Sequence, residues 1–127
     1  MKHILLAAAL TVAPVLASAD PIEGIWQTQP DDGALAHVRI APCGPAFCGT
    51  IIRSFRDGKP HDSPNTGKQI VIDMVPQGNG TYAGKVWRPS NGKTYTGKIA
   101  LQGDAMKLSG CVLGGLVCAK QNWQRVR

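Results

Sequence analysis

The chain has 127 residues, 43% of them hydrophobic, with four cysteines and a formal net charge of +6. That length supports one domain with a modest core. The basic residues Arg39, Arg53, Lys59, Lys85, Arg88, Lys98, Lys107 and Lys120 are scattered and form no block or helical stripe. This argues against nucleic acid as a partner and leaves weak attraction to anionic envelope surfaces as the milder inference.

The first nineteen residues, MKHILLAAALTVAPVLASA, combine a short basic start, an apolar run from Ile4 to Leu16 and the small-x-small ending Ala17-Ser18-Ala19. This is the pattern of a cleaved secretory leader. A run interrupted by Pro14 is too short to span a bilayer comfortably, so no membrane span is expected. No cysteine follows the cut to carry a lipid. The mature chain is expected to be Asp20–Arg127, a single domain in the periplasm or secreted. An even number of cysteines in a small exported chain argues for disulfides.

From Asp20 onward, turn chemistry recurs at short intervals: PDDG, CGPAFCG, RDGKPHDSPNTG, PQGNG, RPSNG, QGD and LGGL. Between these lie GIWQT, AHVRIA, GTIIRSF, KQIVIDMV, TYAGKVW, KTYTGKIALQ, MKLSGCVL and VCAKQNWQRV, rich in β-branched and aromatic residues. No helical period, repeat or linker interrupts them. The pattern predicts an all-β fold, a small antiparallel up-and-down barrel of about eight strands. Arg56–Gly67 is too polar and Pro-rich to be a strand.

In CVLGGLVC a two-residue turn at Gly114-Gly115 places Cys111 opposite Cys118 and Val112 opposite Val117. The same register pairs Met106 with Trp123. Alternation then gives one face Met106, Leu108, Val112, Val117 and Trp123, and the other Lys107, Ser109, Cys111, Cys118 and Lys120. The thiols are expected on the polar, outward face and the two valines in the core. CGPAFC repeats the logic, with Cys43 opposite Cys48. The expected disulfides are 43–48 and 111–118, each stabilising by roughly 2 kcal/mol in the chain-entropy model.

Competing chemistries fit less well. Two C-x-n-C pairs on separate hairpins, without neighbouring histidines, do not make a zinc site, and no C-x-x-C redox motif occurs. His61-Asp62 fits a polar loop, and no nucleophile elbow accompanies the serines. Catalysis would require His37, His61 and a carboxylate to converge. The expectation is a protein that is not an enzyme and has neither metal nor cofactor. Asn79-Gly80-Thr81 fits a glycosylation sequon but also a hairpin turn. Gly24-Ile25-Trp26 near the first strand and Arg125 in the last resemble the barrel-closing pair of calycin (lipocalin-like) barrels. There an arginine covers a tryptophan by apolar contact and a cation–π interaction.

Taken together, GIWQT, CGPAFCGTIIRSF, DSPN, GKVWRPSNGKTYTGKIAL and GCVLGGLVCAKQNWQRV resemble the DUF2147 family of small exported bacterial proteins. The most specific piece is P-x-x-G-K-x-Y, here Pro89 to Tyr95. The resemblance implies a periplasmic or secreted protein with a small barrel domain, and carries over no catalytic residue. KQIVIDMV, after DSPN, is more apolar than the family pattern.

The expected function is a non-catalytic barrel binding a small apolar or amphipathic ligand inside. Alternation turns Tyr95, Ile99 and Leu101 to one face and Tyr82, Val86 and Arg88 to one face, with Ile51, Arg53 and Phe55 inward. Arg53, Tyr82, Tyr95 and Trp123 are the candidate ligand contacts. An inward Arg53 could pair with a carboxylate or phosphate, whereas another register would leave it an exposed charge. The alternative is a filled core that contacts an envelope protein or membrane surface through Leu113 and Leu116 at the hairpin tip. A ligand-sized cavity discriminates the two.

Mass spectrometry of the exported protein is expected to give the mass of Asp20–Arg127 with no alkylatable thiol. A retained leader or four free thiols would contradict the leader and staple assignments respectively.

Overall fold

A computed structural model describes residues 19–127; the expected leader, except Ala19, lies outside the described residues. Among the described residues, nine strands follow the turn signals closely: β1 (Gly24–Gln27), β2 (Ala34–Cys43), β3 (Ala46–Arg56), β4 (Lys59–His61), β5 (Gln69–Gly78), β6 (Thr81–Arg88), β7 (Lys93–Gln102), β8 (Ala105–Val112) and β9 (Val117–Arg125). All pairings are antiparallel. The order β2-β1-β9-β8-β7-β6-β5-β3, with β3 returning to β2, closes an eight-stranded barrel. β4 is a short addition on β3, so the polar Arg56–Gly67 segment is not wholly irregular as expected. Lys59–His61 pairs with Ser54–Arg56 across a tight Asp57-Gly58 turn.

Closing a sheet this small needs strands that bend sharply, and small residues supply the room. A Cβ on Gly84 would stand 2.5 Å from the Asp73 carbonyl oxygen, and one on Gly97 would stand 2.5 Å from the Met74 methyl. Both positions let β5, β6 and β7 approach where the wall curves. The core that results contains Trp26, Val38, Ile40, Ile51, Val71, Met74, Ile99, Met106 and Trp123, all buried.

The two ends of the barrel differ. One carries the turns β2–β3, β5–β6 and β7–β8 together with the residues preceding β1. There Trp26 is fully buried, its indole N–H donates to the Ile22 carbonyl at 2.8 Å, and the Arg125 guanidinium lies 4.4 Å from the ring centre. Arg125 also donates to the carbonyls of Glu23 and Pro21 and to the Asp104 carboxylate. Tyr82, buried nearby, donates to Asp20 and meets Phe47 edge-on at 6.1 Å. This end is sealed. The other end carries the β1–β2 loop, the β3–β4 turn, the β4–β5 loop, the β6–β7 turn and the β8–β9 tip.

Both disulfides, 43–48 and 111–118, are present. The β8–β9 register runs from Met106 opposite Trp123 to Cys111 opposite Cys118 and Val112 opposite Val117. Three details of that hairpin differ from expectation. The tip is a four-residue turn, Leu113–Leu116, in which Leu113, Gly114 and Gly115 all have positive φ, rather than a two-residue turn. Cys111, on the outward face, is only 2% exposed, while its partner Cys118 is exposed. Val112 and Val117 are exposed rather than core, because β7 pairs with β8 only as far as Cys111 and the hairpin projects past the wall.

Arg53 also departs from the expected inward position. The β2–β3 register shifts between His37 and Val38, so Val38 meets Ile51, His37 meets Arg53, and Ile52 is an extra bulged residue. One inserted residue reverses the alternation beyond it. Ile51 therefore faces in, Ser54 takes the next buried position, and Arg53 is an exposed charge. Phe55 is turned out as well, against the His37 ring at 4.8 Å.

Truncating the sealed end tests this architecture. Trp26→Ala is expected to cost about 3–5 kcal/mol in denaturant unfolding, as for other fully buried large side chains. Arg125→Ala should cost less, since its guanidinium contributes a cation–π contact and surface-facing hydrogen bonds. An unchanged midpoint for Trp26→Ala would contradict the sealed-end packing.

Candidate functional site, a cavity at the open end

The barrel interior opens at the end away from Trp26 into a cavity of about 610 Å³. This volume lies within the range of small-molecule sites. Its floor is apolar: Ile51, Ile70, Val86, Leu108 and Trp123 line it. Alternation explains the composition, since these are inward positions of five strands, with Trp123, opposite Met106, the deepest of them. Trp123 is 1% exposed, and its indole N–H donates to the Gln121 side chain at 2.9 Å. The ring is therefore fixed beneath the cavity. Gly110, opposite the Tyr95 ring, keeps β8 low enough to leave the space open.

The rim is polar. Arg56, His61, Asn65, Arg88 and Ser90 contribute from three connections between strands, β3–β4, β4–β5 and β6–β7. Thr28, buried behind the cavity, continues the β1–β2 ladder. Its N–H donates to the Ala36 carbonyl, and its hydroxyl accepts the Ala36 N–H, each at 2.9 Å. Beyond it, the Gln29 side chain accepts the Asn122 N–H at 2.9 Å. That bond ties the β1–β2 loop to the part of β9 that β1 is too short to pair.

One interaction crosses the mouth. Asp31 is held by a tight Asp32-Gly33 turn in which both residues have positive φ, the geometry Asp-Gly favours. Its carboxylate accepts Arg88 Nε at 2.9 Å and Nη2 at 3.0 Å, and the Ser90 hydroxyl at 2.9 Å. β1 and β6 lie on opposite sides of the ring, so this bidentate pair is a strap over the cavity. The hydrogen bonds from Arg88 are the main cause that holds the Asp31 carboxyl below its ordinary value, against a smaller opposing effect of burial. In the β6–β7 turn, Asn91 donates to the Tyr95 hydroxyl at 2.7 Å, which orients that ring at the cavity wall.

Of the sequence candidates, the cavity brings together Tyr95 and Trp123. Tyr82 belongs to the sealed end, where burial first and the Asp20 carboxylate second raise its hydroxyl pKa far above the ordinary range. Arg53 is on the outer wall. There it lowers the pKa of His37, although partial burial is the larger cause of that shift. Leu113 and Leu116 are at the tip, 72% and 87% exposed. The two histidines do not converge. His61 stands opposite the buried Ser54 and lines the cavity, whereas His37 stands opposite the exposed Arg53. Cys43, Cys48 and Asp73 cluster among the described residues, but both sulfurs are in a disulfide and offer no thiolate.

Sequence reasoning missed Asp31, Arg88 and Ser90 as a unit. The only available signals were the Asp-Gly turn after Asp31 and the Gly92 turn after Arg88, and neither specifies a contact 57 residues apart.

No curated relative matches the sequence. Among solved structures, one described as protein HP1028 from the human pathogen Helicobacter pylori, belonging to the lipocalin family, is similar. It is 20% identical over 87% of this chain and 85% of that chain, with a TM-score of 0.69. That likeness concerns the fold, and it agrees with the closed barrel described above. The sequence profile of the bacterial family described as "Uncharacterized protein conserved in bacteria (DUF2147)" matches residues 24–125, from the first residue of β1 to the last of β9, and the chain belongs to that family.

Proposed function

We propose that this protein is an exported, non-catalytic binding module that holds a small amphipathic ligand in its open-ended barrel, in the periplasm. The observation that carries this reading is the cavity itself, since a filled core would have favoured action through the surface alone. Its apolar floor of Ile51, Ile70, Val86, Leu108 and Trp123 suits an alkyl or ring body. Its rim of Arg56, His61 and Asn65 suits a polar or anionic head held near water. Two disulfides on exported-type hairpins support an oxidising compartment. The lipocalin-family neighbour supports a carrier-type fold without specifying a ligand.

The strap gives the site a gate. The ion pair is partly exposed and screened by solvent, so opening it costs little against the barrel as a whole. Ligand entry needs only the β1–β2 loop and the β6–β7 turn to part.

Two measurements test the reading. Ala119 is exposed and lines the mouth, so Ala119→Trp should fill the entrance without disturbing the core. Titrated with a medium-chain fatty acid and followed by tryptophan fluorescence, the wild-type protein is expected to bind. Ala119→Trp should bind at least roughly tenfold more weakly with an unchanged melting curve. Equal binding by both, or none by either, would overturn the cavity assignment. Native mass spectrometry of protein taken from its own periplasm is expected to show a co-purifying small molecule.

The strap predicts a pH dependence. Asp31 has a folded pKa below its ordinary 3.8, so its contribution is complete above that value and is lost as pH falls through the lower one. Fatty-acid release rates should therefore stay constant from neutral pH to mildly acidic pH and rise only in stronger acid. Asp31→Asn should give the fast rate at all pH values. An unchanged release rate in Asp31→Asn would remove the gate.

A further inference from the structure

We propose that the outer wall of β6–β9, with the apolar tip of the β8–β9 hairpin, is a docking face for a bilayer rich in anionic lipid. The inference is independent of whether the cavity holds a ligand. It rests on two features on one side of the barrel.

The first is an uncompensated charge. None of β6, β7, β8 or β9 contains an aspartate or glutamate. Their outward positions carry Lys85, Lys98, Lys107 and Lys120, all exposed, and none of the four is in an ion pair among the described residues. Register collects them. Lys98 is opposite Ser109, and Ser109 is opposite Lys120, so two ammonium groups are rooted about 10 Å apart on one row. Lys107 lies two residues before Ser109 on β8, on the side away from the tip. Lys98, Lys107 and Lys120 enclose a shallow groove of about 430 Å³ that Thr81 and Ser109 also line. Cations with hydroxyl donors between them suit the phosphate of an anionic headgroup.

The second feature is the tip. Val112, Leu113, Leu116 and Val117 are 43%, 72%, 87% and 55% exposed, and together they form a protruding apolar cluster. Positive φ at Leu113, Gly114 and Gly115 turns the chain so that both leucine side chains point away from the barrel. The 111–118 disulfide staples the base of this projection. The tip is therefore presented rigidly, with little entropy to lose on insertion.

The two features belong together. The Lys98 ammonium lies against Gly115 of the tip, 3.6 Å from where a Cβ would be. Lys120 is three residues below Val117, roughly 10 Å along the strand. With the tip among acyl chains, these charges stand near the headgroups, within about one Debye length of the surface. Each lysine so placed is worth about a fivefold gain in partitioning. A protein partner would also meet the leucines, but the acid-free lysine wall selects a surface of extended negative charge. The tip is also at the open end, so docking turns the cavity mouth toward the bilayer.

Co-sedimentation with vesicles of roughly one-third phosphatidylglycerol in phosphatidylcholine, against pure phosphatidylcholine, tests this. Wild-type protein is expected to sediment with the anionic vesicles and to be released by half-molar salt. Lys98→Glu/Lys120→Glu and Leu113→Ser/Leu116→Ser are each expected to lose at least tenfold in partitioning while keeping the wild-type melting curve. All of these side chains are exposed and all variants share one N-terminus, so neither misfolding nor residues 1–19 can produce the contrast. Equal sedimentation with both vesicles, retention by either variant, or absence of sedimentation would overturn the proposal. So would a tip-dependent dimer in place of lipid binding, which would assign the face to a second copy of this chain.

Discussion

Everything in this barrel depends on how four residues of β1 close the ring. β1 must bridge ten-residue β2 and nine-residue β9, and it meets β9 at only two pairs, Trp26 with Arg125 and Gln27 with Gln124. Two ladder pairs are too few to hold an edge against water. The Trp26 ring, buried below the Arg125 guanidinium, supplies apolar area and a cation–π contact at the same point. Arg125 then spends its remaining donors on carbonyls of the incoming chain. One residue thus joins the last strand, the first strand and the segment before it.

The shortness of β1 also determines what the other end can be. Past Gln27 the chain leaves β9, so β9 from Val117 to Gln121 pairs with β8 on one side and has no strand on the other. The space is filled by the β1–β2 loop, attached by Thr28 to Ala36 and by Gln29 to Asn122. A loop is easier to displace than a strand because it has fewer backbone bonds to break. The cavity is therefore opened by the same economy that seals the opposite end, and the Asp31–Arg88 strap compensates for the missing strand across the mouth.

The sequence was legible where side-chain period and turn chemistry act locally. The β8–β9 register could be read because two glycines, two cysteines and alternating polarity all demand the same pairing. Trp26 and Arg125 could be paired because both occupy terminal strands of a closed ring. Arg53 could not be placed, because a bulge at Ile52 has no residue-type signature and inverts every position after it. Val112 and Val117 could be assigned a face but not a burial, since alternation does not say where the neighbouring strand stops. Tyr82 had the right face and the wrong end. Its position followed from which turns share an end, and that requires the whole ring.

The division between the ends is energetic as well as spatial. The sealed end concentrates the large buried side chains, Trp26, Ile22, Ile40 and Met106, where loss of one costs several kcal/mol. The open end is held mainly by loop hydrogen bonds and a partly exposed ion pair, which contribute far less. A marginally stable domain can tolerate losing such contacts transiently but not losing its packing. The loops over the cavity are therefore the least costly part to displace, while the 111–118 disulfide closes the base of the β8–β9 hairpin beside them covalently. The mouth combines a yielding lid with a fixed projection, and the fixed part is the one that carries the exposed leucines.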